Sequence, residues 1–276
     1  MKRVTIIFVS FNSSAMLATS LKPLANDPSF HIMVVDNASR DHTPAWLRSD
    51  FPSVEVVALP QNIGYGRAAN VGLRRTETAH ALLLNPDVLA DSAAVRKLLA
   101  HAEGDRTTTA IWGPATQADE FTGEPAQVVS FVHGSAMLFD VEKIRDVGLF
   151  DENIFLFSEE TELCERTLDA GYSIRLCRDV FFKHLIGRSA TSDPRIEYMR
   201  WWHLSWSQCY CVTKHKHSTF FRNARRKRLS CWLHWLIAIS PRKRMKWKAK
   251  AAGAGAFIRG EKAFQDDGSP QMSQGW

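Results

Sequence analysis

The chain has 276 residues, 45% of them hydrophobic, which is enough to bury the core of one large domain or of one domain with an appendage. Its five cysteines include no CxxC pair, so the composition argues against a disulfide framework and against a structural zinc site. The net charge of +6 is unevenly spread, because residues 1–194 carry −7, residues 195–262 carry +15 and residues 263–276 carry −2. An acidic body and a basic appendage are therefore expected to have different roles.

The first part of the chain alternates apolar, β-branched runs with segments of helical pattern. It enters the first run directly after Met1-Lys2-Arg3, without the apolar core and cleavage site of a signal peptide, so we expect a cytoplasmic protein. Strands are predicted over residues 4–9, 31–35, 54–59 and 81–84. Strands and helices in alternation form βαβ units, so the sequence predicts an α/β fold with a mostly parallel central sheet.

The fourth strand stops abruptly at Asn85-Pro86-Asp87. Because Pro86 cannot donate a hydrogen bond to a sheet, the strand should end there and leave Asp87 just beyond its carboxyl end. Open α/β sheets bind ligands at that edge, and a carboxylate beside an amide suits a hard cation that carries a phosphate. The alternative interpretation is an ordinary turn that caps the next helix near Asp91.

Beyond residue 91 the pattern of apolar residues is less regular. A helix is predicted over residues 91–103, and strands are predicted over residues 110–114, 128–132 and 136–139. Ser158 and the acidic residues that follow it have the composition of a helix start, and Gly171 ends that helix. We assign both parts, residues 1–190, to a single domain.

Residues 191–262 are predicted to form a helical, basic and tryptophan-rich appendage. Asp193 and Pro194 indicate a helix start, because they supply a capping side chain and a proline at the first helical position. The apolar stripe that follows is expected to pack on the parent domain. The last segment, residues 263–276, is predicted to be a disordered tail.

Within the appendage, residues 222–250 place a short apolar run between two clusters of lysine and arginine. The run is shorter than the roughly 20 residues that span a bilayer. Flanking cations together with Trp232, Trp235 and Trp247 suit a helix that lies in the headgroup region of an anionic membrane. The alternatives are a core helix with solvated charged ends and a nucleic-acid-binding segment. No nucleic-acid-binding motif accompanies the segment, so nucleic acid is not an expected partner.

Six short motifs follow one another along residues 4–189. They cover residues 9–12, 34–39, 62–72, 84–87, 150–172 and 184–189. In that order they resemble the two nucleotide-binding strand ends, the helix start, the metal motif, the base segment and the closing His-x-x-Gly-x-Ser of family 2 glycosyltransferases. The likeness is greatest to the bacterial rhamnosyltransferase-like branch. It implies the GT-A fold, a Rossmann-like domain that binds nucleotide sugars.

The resemblance also implies an activity. Such an enzyme is expected to move rhamnose or another hexose, with inversion, from a nucleotide-diphosphate sugar to a hydroxyl group of a saccharide acceptor. The acceptor is expected to be lipid-linked, in cell-surface polysaccharide or lipopolysaccharide synthesis at the inner face of the cytoplasmic membrane. The residues expected to bind the nucleotide sugar are Ser10, Asn12, Asp36, Gly64, Arg67, Asn85 and His184. The pocket of the acceptor or the sugar is expected to include Gly134 and Ser135.

The chemistry of the donor explains these residue types. The diphosphate leaves with developing negative charge, which a Mg²⁺ or Mn²⁺ ion on Asp87 would stabilise as a Lewis acid. Arg67 adds a positive charge at the start of a helix, where the backbone already favours anions. For inversion in one displacement, a carboxylate must accept the proton of the attacking hydroxyl group.

Glu160 occupies the position where the family usually has that base as an aspartate. A glutamate keeps the carboxylate but is one methylene longer, so Glu159 is a rival for the same role. The alternative for both, and for Glu162, is an acidic helix start that complements the helix dipole.

Two other classes of function compete with this hypothesis. The missing aspartate leaves open a non-catalytic protein of the same fold that binds membrane or nucleic acid through its basic segment. A dinucleotide-dependent oxidoreductase is disfavoured, because no predicted strand is followed by GxGxxG.

Overall fold

The computed structural model describes residues 2–105, 107–185, 193–215 and 223–271. The chain divides into two compact units: unit 1 is Met1–Phe150 with Leu163–Ser189, and unit 2 is Asp151–Glu162 with Ala190–Trp276. Gly187 and Ser189 of the closing motif, Arg222 of the first basic cluster and residues 272–276 of the predicted tail lie outside the described residues. The domain boundaries at residues 190 and 262 stay a prediction.

Unit 1 is built from strands and helices in alternation. Its strands are β1 (Val4–Ser10), β2 (Phe30–Asp36), β3 (Glu55–Ala58), β4 (His80–Leu84), β5 (Val88–Leu89), β6 (Thr109–Ala115), β7 (Gln127–Val129), β8 (Ala136–Asp140), β9 (Ser173–Phe181) and β10 (Lys183–His184). Its helices are α1 (Ser14–Leu21), α2 (Thr43–Asp50), α3 (Tyr65–Arg75), α4 (Ser92–Gly104) and α5 (Val141–Val147). Helix α6 (Glu159–Asp169) begins in unit 2 and ends in unit 1.

The central sheet has eight strands in the described part of the chain, in the order β3-β2-β1-β4-β8-β6-β9-β7. The first four are mutually parallel, and β8 then pairs antiparallel with both β4 and β6. The α/β fold class is therefore confirmed, in a mixed sheet. Strand β1 lies between β2 and β4, so the carboxyl ends of these three strands meet at one edge, where the strand order reverses direction.

Alternate residues of β1 enter two different hydrophobic cores, since side chains alternate across a sheet. Ile6 and Phe8 belong to one cluster, which α1 and α4 complete with Leu17 and Leu98. Ile7 belongs to the other cluster, which α3 and α5 complete. Both faces of the sheet are covered, and this burial explains why β1, β2 and β4 are nearly continuous apolar runs.

In the described part of unit 2, three helices follow its first segment: α7 (Pro194–Lys214), α8 (Ala224–Ile237) and α9 (Pro241–Ile258). Asp193 caps α7 by accepting a hydrogen bond from the backbone of Arg195, as predicted. Trp202 and Trp206 pack with Phe155 and with alanines of α9 in the core of this unit. Among the described residues, no helix combines the length and the apolar character needed to cross a membrane.

Two local predictions differ from the structure. The strand expected over residues 128–132 ends at Val129, because its pairing with β9 covers only Gln127–Val129. The tail expected from residue 263 onward is ordered as far as Gln271: Ala263 is buried, and the backbone of Gln271 donates to its carbonyl oxygen. Phe264 and Pro270 form a β-bridge around the intervening turn. Polar composition does not reveal that one small apolar side chain ties such a turn to a core.

Candidate functional site

The carboxyl ends of β1 and β2 bring Ser10 and Asp36 together. The two residues are register partners in the sheet, and both are buried. One carboxylate oxygen of Asp36, Oδ2, accepts a hydrogen bond of 3.0 Å from the backbone of Ser39. The other oxygen, Oδ1, is buried and has no hydrogen-bond partner within the described residues. A buried, unsatisfied acceptor at a strand end suits the N–H or hydroxyl group of a ligand.

The loops after β1 and β2 hold each other in unusual backbone conformations. Asn12 and Ala38 have φ of 49° and 65°, in the left-handed region that costs energy for residues other than glycine. The backbone of Asn12 donates to Oγ of Ser39 at 2.9 Å, and its side-chain oxygen accepts from the backbone of Arg40 at 2.7 Å. Asn12 thus joins the two loops of the predicted nucleotide pocket, and strain of this kind is concentrated at functional sites.

Asn37, which is not among the site residues predicted from the sequence, fixes the loop before α3. Its Oδ1 accepts from the backbone of Ile63 at 2.9 Å, and its Nδ2 donates to Oδ1 of Asn62 at 3.0 Å and to the carbonyl oxygen of Gly64 at 3.2 Å. Both asparagines lie within the motifs noted in the sequence, Asn37 in residues 34–39 and Asn62 in residues 62–72. A buried amide that bridges two loops is not distinguishable by sequence from one that contacts a ligand.

Gly64 and Arg67 lie at the start of α3, as predicted. Gly64 precedes the helix with φ of 88°, which explains the glycine, and Arg67 is half-buried in the first turn. The exposed backbone N–H groups of a helix start, together with a guanidinium group, favour an anion.

Asp87 lies just past the carboxyl end of β4, where Pro86 ends the strand. Its side chain is nearly buried, and its Oδ1 is 3.5 Å from Nε2 of His184. The backbone of Leu185 donates to the carbonyl oxygen of Asp87 at 2.8 Å, and β10 pairs antiparallel with β5, so two short strands keep His184 beside this carboxylate. Oδ1 of Asn85 is a second buried acceptor, and it has no hydrogen-bond partner in the part of the chain that the structure describes.

His133 and Ser135 lie next to these residues through the pairing of β4 with β8. The backbone of Asn85 donates to the carbonyl oxygen of Ser135 at 2.9 Å. The backbone of Ser135 donates to Nδ1 of His133 at 3.2 Å, which leaves the ring proton on Nε2. The ring is 5.5 Å from that of His184 between centroids. Partial desolvation, and secondly the proximity of His184, lower the pKa of His133.

Gly134, between these two residues, is part of the same cluster, since its carbonyl oxygen accepts a hydrogen bond of 3.4 Å from the hydroxyl group of Tyr65. The structure therefore brings together, in unit 1, four of the predicted residues around the ends of β4 and β8. They are Asn85, Asp87, Gly134 and Ser135, with His184 beside them.

Asp87 and its neighbours offer oxygen atoms that could bind a divalent cation. Within the described ranges, no group of three or more His, Cys, Asp and Glu side chains could hold a metal ion. Magnesium sites in enzymes that act on phosphate groups commonly use one or two carboxylates and take further ligands from the substrate and water. Asp87, with the unsatisfied oxygen of Asn85 near it in the chain, fits that kind of site and does not fit a cage made by protein alone.

In unit 2, Glu159 and Glu160 form the first turn of α6. The two residues before them, Phe157 and Ser158, both have positive φ, of 67° and 68°. Glu159 is buried and its Oε2 has no hydrogen-bond partner within the described residues, whereas Glu160 is half-buried. Two consecutive non-glycine residues in the left-handed region hold this acidic turn in place at an energetic cost.

Both carboxyl groups are less acidic than ordinary glutamates. Burial, and secondly the charge of Glu160, raise the pKa of Glu159 well above its usual value. Burial also raises the pKa of Glu160. A raised pKa moves a carboxylate towards the range in which it can exchange protons with a substrate near neutral pH.

Glu162, one turn further along α6, is part of a buried ionic network of unit 2. Its Oε1 is 2.6 Å from Nζ of Lys214 and 3.2 Å from Nε2 of His215. Lys214 also contacts Oδ2 of Asp151 at 2.6 Å, and the hydroxyl group of Tyr210 donates to the same oxygen at 2.8 Å. These contacts assign Glu162 a structural role in the buried network of unit 2.

Comparison with known proteins extends this description. A sequence profile of Glycosyl transferase family 2 matches residues 5–156. The low-salt glycan biosynthesis hexosyltransferase Agl10 of Haloferax volcanii is 24% identical over 207 residues, which are 64% of this chain and just under two thirds, 65%, of that protein. The N-acetylglucosaminyl-diphospho-decaprenol L-rhamnosyltransferase of Mycobacterium tuberculosis is 24% identical over 219 residues, 62% of this chain and 71% of that protein.

Solved structures show the same fold. The mannosyltransferase PcManGT of Pyrobaculum calidifontis, solved in complex with GDP-Man and Mn²⁺, superposes with a TM-score of 0.61 over 93% of this chain and 75% of its own, at 18% identity. The predicted GT-A fold is confirmed by this likeness and by the eight-stranded mixed sheet. Since the family profile also covers more than half of the sequence, the chain belongs to glycosyl transferase family 2.

Proposed function

We propose that the protein transfers a hexose, with inversion, from a nucleotide-diphosphate sugar to a hydroxyl group of a saccharide acceptor. The observation that carries this proposal is the position of Asp87. It follows the parallel strand β4 at the edge of the sheet where the strand order reverses, with His184 at 3.5 Å and Asn85 beside it. In open α/β sheets this edge is where nucleotide ligands bind.

The nucleoside is proposed to bind at the ends of β1 and β2. The unsatisfied Oδ1 of Asp36 is suited to accept from a base N–H or a ribose hydroxyl group, and Ser10 completes that end of the pocket. Asn12 already uses its amide oxygen to join the two loops, so its role is to shape the pocket. The start of α3, with Gly64 and Arg67, is proposed to receive the diphosphate.

Asp87 is proposed to hold Mg²⁺ or Mn²⁺ against the diphosphate, with Asn85 as a neighbouring oxygen donor. Bound there, the cation would neutralise the charge that develops on the departing diphosphate. His184 and His133 flank this position, and each can donate a ring N–H to a phosphate oxygen or a sugar hydroxyl group. Gly134 and Ser135 are proposed to line the pocket of the sugar or the acceptor.

Glu160 is proposed to be the general base that accepts the proton of the attacking hydroxyl group. It is the more exposed of the two adjacent glutamates, and a base must reach its substrate. Glu159 remains the rival candidate, because its buried Oε2 also lacks a partner among the described residues.

The acceptor is proposed to be lipid-linked and to be met at the cytoplasmic face of a membrane, in the synthesis of a cell-surface glycan. The mycobacterial relative is named for a diphospho-decaprenol substrate, which supports a lipid-linked acceptor for this chain. The same relative is named as an L-rhamnosyltransferase, so rhamnose is one candidate for the transferred sugar. The basic segment of unit 2, which carries no acidic residue over residues 223–250, supports an anionic lipid surface as a partner.

The test is donor binding followed by turnover. Purified protein is screened by thermal shift against UDP-, dTDP- and GDP-sugars, with and without Mn²⁺. A donor at one hundred times its dissociation constant should add about 2.7 kcal/mol of stability. Asp87→Asn should remove the part of this shift that depends on Mn²⁺ and should abolish transfer.

Asp119→Asn is the matched control, because it removes a carboxylate from an exposed loop of the same unit and should change neither readout. Unchanged transfer by Asp87→Asn, or full activity in EDTA, contradicts the proposed metal site. No shift with any nucleotide sugar favours the non-catalytic alternative.

A further inference from the structure

Exposed apolar side chains gather on the second half of α8 and in the turn that leads to α9. Two of them are almost fully in solvent: Ile237 is 75% exposed and Ile239 is 96% exposed. The exposed set, which we call the aliphatic tip, comprises Leu229, Trp232, Leu233, Leu236, Ile237 and Ile239. The members on α8 recur every three or four residues, so they share one side of the helix. That side is a contiguous apolar surface of the kind that marks an interaction site.

The opposite side of α8 is occupied by its own unit. Cys231 is buried, and Trp235 is half-buried with the guanidinium group of Arg244 above its ring at 5.3 Å. Trp247 of α9 stacks on His234 with 4.4 Å between ring centroids. The aliphatic tip is thus the side of the hairpin of α8 and α9 that nothing in unit 2 covers within the described residues.

This distribution changes which residues are expected to contact a membrane. The sequence pattern favours Trp232, Trp235 and Trp247 for this contact, but only Trp232 is exposed. Trp247 is also approached by the ammonium groups of Lys246 and Lys250, at 5.6 and 5.1 Å from its ring centroid. Two of the three tryptophans therefore stabilise the hairpin, and the exposed apolar surface consists of Trp232 and five aliphatic side chains.

Cations surround the aliphatic tip along the chain on both sides. Arg225, Arg226 and Arg228 precede it on α8, and Arg242, Lys243 and Arg244 follow it on α9; all six are exposed. Residues 223–250 contain ten lysines and arginines and no aspartate or glutamate. An apolar surface between two exposed cationic clusters is complementary to a layer that is anionic at its surface and apolar beneath.

We infer that the aliphatic tip inserts into the headgroup and upper acyl region of a bilayer that contains anionic phospholipids, while the flanking arginines and lysines bind the lipid phosphates. Two other occupants fit less well. A second copy of the same surface would cover the apolar side chains, but its flanking cations would meet only other cations. Single-stranded nucleic acid gains from cations and stacked aromatic rings, and it gains nothing from exposed isoleucine and leucine.

The inference deepens the proposed function by naming the surface through which the enzyme meets a lipid-linked acceptor. It rests on that function only for the identity of the acceptor. The experiment below measures binding and not transfer, so a failure here would leave the proposed glycosyl transfer untouched, and inactivity of the enzyme would leave the result here untouched.

The test is flotation of the full chain with vesicles of phosphatidylcholine, with or without phosphatidylglycerol, at low and at high salt. We expect binding that requires the anionic lipid, weakens with salt and retains a salt-resistant part from apolar insertion. Ile237→Ser and Ile239→Ser should each reduce the salt-resistant binding by about tenfold, since burial of one aliphatic side chain changes a binding constant by about ten- to a hundredfold. Val128→Ser is the matched control, an exposed aliphatic residue of unit 1 that should leave binding unchanged.

A second readout locates the insertion directly. The five native cysteines are free and buried, so a single Cys introduced by Ile239→Cys can be labelled selectively with an environment-sensitive fluorophore such as NBD. We expect its emission to shift to the blue on anionic vesicles, and a label at Val128→Cys to remain unchanged. Binding without a blue shift, equal binding to both lipid compositions, or no binding would overturn the inference. So would a dimer that Ile239→Ser disrupts, or salt-sensitive RNA binding with none to vesicles.

Discussion

Two adjacent carboxyl groups with different surroundings are the main feature of the candidate site at the scale of residues. Glu159 and Glu160 share one turn of α6, and burial raises the pKa of both. The charge of Glu160 adds to the rise at Glu159, so the more buried group holds its proton more firmly. The more exposed group, Glu160, is then the one that is free to act as a base, and the sequence alone could not make that distinction.

We expect Glu160→Gln to reduce transfer by about a hundredfold or more, because it keeps the shape of the side chain and removes its basicity. Donor binding, measured by thermal shift, should survive. A general base works in its ionised form, so kcat/KM of the unaltered protein should rise with pH through the pKa of Glu160. Since that pKa is raised, the rise should occur at higher pH than for an exposed glutamate, and it should be absent in Glu160→Gln.

Glu159→Gln is the matched variant, with the same chemical change one residue earlier. We expect it to retain transfer and the pH-dependent rise. If Glu159→Gln is the inactive protein and Glu160→Gln is active, the base is Glu159. If both variants transfer sugar at the rate of the unaltered protein, the carboxylate hypothesis is wrong.

Among single residues, site residues could be predicted best from sequence where the residue type has few possible roles at its position. The carboxylates at strand ends, Asp36 and Asp87, could be selected because buried strands rarely end in a charge without a partner. The bridging role of Asn37 could not be separated from ligand contact, because both use the same amide hydrogen bonds. The ionic partners of Glu162 come from a helix about fifty residues away, and no local pattern indicates them.

At the scale of elements, the parallel half of the sheet could be predicted from sequence because β1, β2 and β4 are nearly continuous apolar runs. The antiparallel position of β8 between β4 and β6 could not, since β4 and β8 pair residues that are 52 to 60 positions apart in the chain. The hairpin of α8 and α9 shows a related limit. Its tryptophans were recognised, but which face of each helix is covered depends on packing that hydrophobicity does not encode.

The close approach of α7 and α9 leads to a prediction at this scale. Gly253 of α9 lies against the backbone of α7, and a Cβ atom there would overlap the carbonyl oxygen of Trp202. We expect Gly253→Ala to separate the two helices and to lower the free energy of unfolding by about 1–3 kcal/mol, although alanine is the better helix former. The measurement is urea denaturation followed by far-UV circular dichroism.

Gly104, at the end of α4, is the matched control. A Cβ there meets no atom within 4 Å, so Gly104→Ala should leave stability unchanged or increase it slightly. Equal stability of Gly253→Ala and the unaltered protein would show that the contact with Trp202 relaxes without cost.

At the scale of the whole molecule, groups that are buried in their uncharged forms contribute to the response to acid. Burial lowers the pKa of His80 in unit 1, and it lowers the pKa of His203 in unit 2 to about 3. His203 is fully buried, and Phe155 packs against its ring at 4.5 Å between centroids. Glu159 and Glu160 act in the opposite direction, because a raised pKa makes the folded protein bind protons more readily.

The lowered pKa of His203 determines the pH range in which this residue makes folding stability depend on pH. An unfolded histidine binds a proton near pH 6.5, whereas the folded one binds it only near pH 3, so between these values the unfolded state holds the extra proton. Folding stability from this group is therefore complete above pH 6.5 and falls by about 1.4 kcal/mol for each pH unit below it.

We expect His203→Phe, which keeps an aromatic ring beside Phe155, to flatten the dependence of the unfolding free energy on pH between 6 and 4 by that slope. The matched control is His234→Phe, the same substitution at an exposed position of α8. If the unfolding free energies of His203→Phe and of the unaltered protein change with pH by the same slope, His203 is protonated in the folded state.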